Sequence, residues 1–157
     1  MTWDPRAVVP LLPHLAPSTR FVEPCAGEGH LVNHLVAAGH VCVAGFDTAA
    51  RGANQRRDAR TAEYGDIVFD VFVTNPPWTR ELLHPIIANL WWQRPCWLLF
   101  DADWIHTRQA RPYLPMLRKV VAVGRVKWIE DSPHMGKDNC AWHLFAPAGA
   151  TEFIGRV

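Results

Sequence analysis

Asn75-Pro76-Pro77-Trp78 directly follows the apolar run Val71-Phe72-Val73-Thr74, and this junction constrains the fold more than any other feature. Proline fixes φ at about −65° and carries no N–H, so two in succession continue neither a helix nor a central strand. The run before them is β-branched and aromatic, as a buried strand requires. The strand must stop at Thr74, and the segment after it is stiff. Pro77 also drives Pro76 towards an extended conformation. The Pro76 carbonyl is thereby fixed at the strand's end, with the Asn75 side-chain carbonyl and the flat ring of Trp78 beside it. Two acceptors and a stacking ring suit a planar amino group. An adenine N6 or an amide nitrogen is a poor nucleophile because its lone pair is delocalised. Accepting both of its hydrogens favours a pyramidal nitrogen with a localised pair. Asn75, Pro76, Pro77 and Trp78 are the predicted catalytic residues.

A second strand-to-turn junction lies 46 residues upstream. Arg20-Phe21-Val22-Glu23 reads as a short strand entering Cys25-Ala26-Gly27-Glu28-Gly29. Glycines at such a turn let backbone approach a ligand with no Cβ in the way. A dinucleotide fingerprint would want a third glycine where Val32 stands. Glu23 and Glu28 flank the turn with negative charge, which suits a cationic or zwitterionic ligand better than a polyphosphate. Val41 to Phe46 is a further β-type run, ending at Asp47, 18 residues after Gly29. A carboxylate there can accept both hydroxyls of a ribose.

Between these junctions His30 to Ala38 places Leu31, Val32, Leu35 and Val36 on one helical face, with Gly39 as a stop. Residues 48–65 are polar, Arg-rich and poorly periodic. Glu81 to Trp92 reads as a helix, Cys96 to Phe100 as a buried strand, and Arg108 to Val123 as a helix. Arg125 to Ile129 and Cys140 to Phe145 read as a closing antiparallel pair. This order is an α/β plan: a mostly parallel, Rossmann-like sheet of seven strands with a C-terminal antiparallel hairpin and helices on both faces. Ligands bind such sheets at the carboxyl ends of the strands, where both special turns fall.

With 157 residues, 49% of them apolar and 20% charged, the chain is expected to form a single domain over 1–157. Its net charge of +1 rules out a general basic coat but leaves room for a local basic face. The four cysteines are too sparse for a disulfide scaffold and contain no CxxC, which argues for reduced thiols, no structural zinc and a cytoplasmic protein. No apolar stretch spans a bilayer. The first 17 residues are broken by Pro5, Pro10, Pro13 and Pro17, unlike a signal peptide.

The segments FVEPCAGEG and VTNPPW resemble motifs I and IV of the class I S-adenosylmethionine-dependent methyltransferases. Thr2 and Pro5 before AVV resemble the short motif preceding motif I in many N6-adenine DNA methyltransferases. The resemblance covers residues 1 to 147, in the gamma motif order of the amino-methylating enzymes. It implies S-adenosylmethionine as cofactor and DNA as the favoured substrate. It also implies that Glu23, Gly27 and Gly29, with Thr2, Pro24, Cys25, Ala26 and Asn75, form the cofactor site. Asp47 would hold the ribose and Asp66 the adenine amino group of the cofactor. Asn75 and Pro76 would hold the target nitrogen, and Trp78 would stack the target ring. RNA adenine or guanine and protein glutamine remain alternative substrates. No long target-recognition region is evident, so a homodimer, a separate recognition partner or a cofactor-binding subunit role also stays open.

Arg51, Arg56 and Arg57 in one basic run, Arg108 and Arg111 in a second, and Lys137 in the 130–139 loop are the candidate nucleic-acid contacts. His30 and His34 have a metal-type spacing but no neighbouring carboxylate ligand, so a solvated helix face is the expectation and no metal is assigned. Cys25 lacks an evident base and reads as a small packing residue. Eight tryptophans against two tyrosines read mainly as core filler.

Overall fold

Successive residues of the central apolar runs belong to different cores. In Cys96–Asp101, Cys96, Leu98 and Phe100 join one buried cluster while Trp97 and Leu99 join another. Val71–Thr74 divides in the same way, with Phe72 on one side and Val71 and Val73 on the other. Strands buried on both faces read as unbroken apolar runs, and they require a covering layer above and below.

A computed structural model describes the chain except for Met1, Trp3, 50–54, 129–135, Ala148 and Val157. Its strands are β1 (Arg20–Glu23), β2 (Val41–Asp47), β3 (Gln55–Arg56), β4 (Val71–Thr74), β5 (Cys96–Asp101), β6 (Leu117–Gly124), β7 (Cys140–Phe145) and β8 (Glu152–Ile154). They form one sheet in the order β3-β2-β1-β4-β5-β7-β6-β8. β7 alone runs against the rest, pairing antiparallel with β5 and β6; every other pairing is parallel. Helix α1 (His30–Ala37) lays Leu31 and Leu35 on one face, beside Ala7 and Leu11 of the N-terminal segment. Helix α2 (Arg80–Leu90) lays Leu83, Ile86, Ile87 and Leu90 on the other, beside the fully buried Trp104.

The mostly parallel sheet, its antiparallel insertion and the helices on both faces match the sequence expectation. Among the described residues the sheet has eight strands rather than seven: six of four residues or more, with β3 and β8, two and three residues long, at its edges. The helix expected over Arg108 to Val123 is not formed. Short 3-10 turns occupy Arg108–Ala110 and Leu114–Met116, and β6 follows. Pro112 and Pro115 break the helical hydrogen-bond ladder, and Val120, Val121 and Val123 favour a strand. The hairpin partner of β7 is therefore β6, not Arg125 to Ile129. No helix among the described residues is long and apolar enough to cross a membrane.

Candidate active site

A cavity of about 610 Å³ opens at the carboxyl ends of β1, β2 and β4. The turn after β1 forms one wall with Glu23, Cys25, Ala26, Gly27 and Glu28. Asp47 comes from the end of β2, and Asn75, Pro76, Pro77 and Trp78 from the end of β4. Thr2, His30, Leu31, Trp128, Gly136, Lys137 and Asp138 complete the lining. The two junctions singled out in the sequence thus face a single space, because β1 and β4 are adjacent parallel strands.

The turn is held by backbone bonds. The Ala26 N–H donates to the Phe46 carbonyl at 2.8 Å, tying the turn to β2, and the Gly29 N–H donates to the Ala26 carbonyl at 2.8 Å. Gly27 and Gly29 have φ of +54° and +82°, and a Cβ on either would meet no protein atom within 4 Å. Their backbone conformation calls for glycine, while the space beside them stays open. Asp47 Oδ2 accepts from the Gly27 N–H and Oδ1 from the Ala49 N–H, both at 2.9 Å. Oδ1 also accepts from the Thr48 hydroxyl at 3.5 Å, and Oδ2 keeps a further lone pair. Pro24 is buried beneath the turn and, like Gly29, shapes the wall without lining it.

Glu23 lies at the floor with only 1% of its surface exposed, and neither carboxylate oxygen has a hydrogen-bond partner at full length. Burial pushes its pKa up to about 8; the nearby Thr74 hydroxyl and the Cys25 and Asn75 amides oppose this, and the charge of Asp47 adds to it. A buried acid with two unpartnered oxygens is costly unless something else satisfies it. Burial, reinforced by Glu23, pushes the Cys25 thiol well above its ordinary range, which makes it a poor nucleophile at neutral pH.

On the opposite wall the Asn75 side chain bridges two others. Its Nδ2 donates to the Thr2 hydroxyl at 2.9 Å, and its Oδ1 accepts from the Trp78 indole N–H at 3.1 Å. That N–H also reaches the Leu99 carbonyl on β5 at 3.2 Å. Trp78 is half-buried and meets Trp128 edge to face, with centroids 5.2 Å apart and planes at 86°. Gly136 packs against Trp128 so closely that a Cβ there would lie 2.5 Å from its Nε1.

Other predicted residues fall elsewhere. Asp66 is outside the cavity lining and pairs with Arg57 at 2.7 Å, while the Arg57 guanidinium lies 4.5 Å from the Phe46 ring centroid. Each is thus engaged by the other rather than by the cavity. Arg56 is exposed on β3, Arg108 and Arg111 are exposed beyond β5, and Arg51 lies outside the described residues. Lys137 is at the cavity rim. Sequence reasoning missed Trp128, which lines the cavity and whose only sequence signal is its position before the polar loop. Among the described residues no group of three or more His, Cys, Asp or Glu side chains is arranged to hold a metal ion.

No protein-family model and no curated protein sequence matches the chain. Solved structures do. A SAM-dependent methyltransferase of TehB type from Corynebacterium glutamicum superposes with a TM-score of 0.55 at 14% identity, over 91% of this chain and 87% of that one. The fold is that of the S-adenosylmethionine-dependent methyltransferases. A protein of Pyrococcus horikoshii assigned as an RNA methyltransferase matches with a TM-score of 0.58 at 10% identity, over 89% of this chain and 80% of that one. The M protein of the type I restriction enzyme EcoKI matches with a TM-score of 0.52 at 11% identity; the match takes in 92% of this chain but 44% of the M protein.

Proposed function

We propose that this protein transfers a methyl group from S-adenosylmethionine to an exocyclic amino nitrogen, adenine N6 in DNA. The observation that carries the reading is the pairing of two walls across one cavity: an open glycine turn with an unsatisfied buried acid on one side, and Asn75-Pro76-Pro77-Trp78 on the other. The residues present fit the cofactor. Glu23 offers two unpartnered oxygens to a cationic group, the Gly27 backbone leaves room beside it, and Asp47 retains acceptor capacity for ribose hydroxyls. When bound, S-adenosylmethionine supplies an activated methyl group on a sulfonium.

The chain's own contribution is positioning and electrostatics. Asn75 Oδ1 and the Pro76 carbonyl accept the two hydrogens of the amino group and strengthen as positive charge grows on nitrogen. Trp78 and Trp128 form aromatic walls against the target ring, with stacking worth about 1–3 kcal/mol per base. From a duplex the base must leave its stack, at a cost of a few kcal/mol, roughly what such walls return. Lys137 at the rim and the exposed Arg56, Arg108 and Arg111 are the phosphate-facing cations, so binding weakens steeply with salt. RNA is the second reading, favoured by the likeness to the Pyrococcus horikoshii protein over most of its length. Transfer of labelled methyl groups to duplex DNA, single-stranded DNA, RNA and protein tests both. Label in adenine of DNA is the expected result; label only in RNA selects the second reading, and label only in protein rejects both.

A further inference from the structure

An asparagine amide has a donating and an accepting end of nearly equal size, and only its surroundings decide which way each faces. Around Asn75 the surroundings decide it. The Trp78 indole N–H can only donate, so the end 3.1 Å away must be the Asn75 carbonyl. The other end then faces the Thr2 hydroxyl, to which it donates at 2.9 Å. Sharing of the indole N–H with the Leu99 carbonyl at 3.2 Å anchors the arrangement to β5. Thr2 and Leu99 are 3% and 0% exposed, so water competes poorly for either contact. A flipped amide would oppose two N–H donors at Trp78. It would also turn a donor towards an incoming amino group, whose hydrogens need acceptors.

We propose that Trp78, through its indole N–H, and Thr2, through its hydroxyl, are positioning residues that lock the Asn75 amide with its carbonyl end offered to the target amino group. This rests on the reading of Asn75 as the amino acceptor. Asn75 Oδ1 has two lone pairs, so accepting from Trp78 leaves one for the substrate. The lock gives tryptophan at 78 a task beyond stacking. Phenylalanine would keep a flat ring there but has no donor, and the amide would lose its orienting contact. Valine at position 2 would keep the shape and lose the acceptor.

The test compares Trp78→Phe, Thr2→Val and Thr2→Ser in the full chain. Losing one orienting hydrogen bond of about 1.4 kcal/mol corresponds to a tenfold effect. Trp78→Phe and Thr2→Val should each lower kcat about tenfold at saturating cofactor, and Thr2→Ser should restore the wild-type rate. In an Asn75→Asp background, whose two carboxylate oxygens are alike, adding Thr2→Val should change kcat by less than about twofold, because no orientation remains to be lost. A readout independent of turnover is the Trp78 indole proton in an NMR spectrum. It should exchange slowly with solvent, and its resonance should move in Asn75→Ala and in Thr2→Val. An active enzyme whose Trp78→Phe and Thr2→Val forms keep the wild-type kcat would overturn the lock, as would an indole proton that exchanges freely. If the protein methylates nothing offered to it, a protected indole proton that responds to Thr2→Val leaves the lock standing and removes only the proposed activity.

Discussion

Replacing Glu23 by glutamine should stabilise the free protein in alkaline solution while weakening its hold on a cationic ligand. Glu23 is 1% exposed and both of its oxygens lack partners. Burial pushes its pKa from an ordinary 4.5 up to about 8. The folded state therefore binds this proton more tightly than the unfolded chain does. The resulting stability is fully present below about pH 4.5 and is lost as pH rises through about 8. At about 1.4 kcal/mol per pH unit, the displacement amounts to about 5 kcal/mol once Glu23 is ionised. That is a large share of the roughly 5–15 kcal/mol that holds an ordinary domain folded. Glutamine has nearly the same shape and no charge, so its variant escapes the loss. Urea unfolding of both proteins at pH 5, 7 and 9 isolates the effect, since every other titrating group is common to the two. Wild type should fall behind Glu23→Gln by several kcal/mol between pH 5 and pH 9. A cationic cofactor at pH 7 should draw the proton off, and calorimetry in buffers of different ionisation heat should count its release in wild type alone. Parallel pH profiles, or proton release undiminished in the variant, would show that Glu23 is not the group whose burial costs stability.

Asp47→Ala should weaken S-adenosylmethionine binding at least tenfold by calorimetry, because charge-assisted bonds are worth roughly 1.5–3 kcal/mol each and the Gly27 turn loses its tether at the same time. Gly136→Ala should raise the KM for the nucleic-acid target while sparing cofactor affinity, since the added methyl would sit 2.5 Å from Trp128 Nε1 and must displace that ring; steady-state kinetics separates the two. His143 is fully buried, stacks on Phe100 at 3.9 Å, and has its pKa pushed down to about 3 by burial. Its contribution is present above about pH 6.5 and is lost as pH falls towards about 3, so His143→Phe should melt higher than wild type at pH 4.

The two walls of the cavity were legible in the sequence because each is a local device. Prolines end β4 and glycines open the turn after β1 whatever surrounds them, and burial on both faces wrote β4 and β5 as unbroken apolar runs. Between Arg108 and Val123 the apolar spacing fits either period, and there the β-branched cluster in β6, rather than the spacing, reflected the final state. Asp66 stands in sequence where a cofactor carboxylate is sought, yet its pairing with Arg57 depends on how 57–66 folds back on itself. Trp128 and Gly136 meet each other and Trp78 only through tertiary structure, and no periodicity announces that. The engagement of Asn75 with Thr2, 73 residues away, is of the same kind.

Asn75 and its neighbours are proposed to act on an amino nitrogen of adenine. Nucleoside mass spectrometry of DNA incubated with S-adenosylmethionine and either wild type or Asn75→Ala tests it most directly. Wild type should yield N6-methyladenine, and Asn75→Ala should do so at least about 100-fold more slowly at saturating cofactor, in line with losing one preorganised transition-state acceptor. Methylation of a ring carbon or a hydroxyl, or an Asn75→Ala protein that methylates adenine at the wild-type rate, would contradict it.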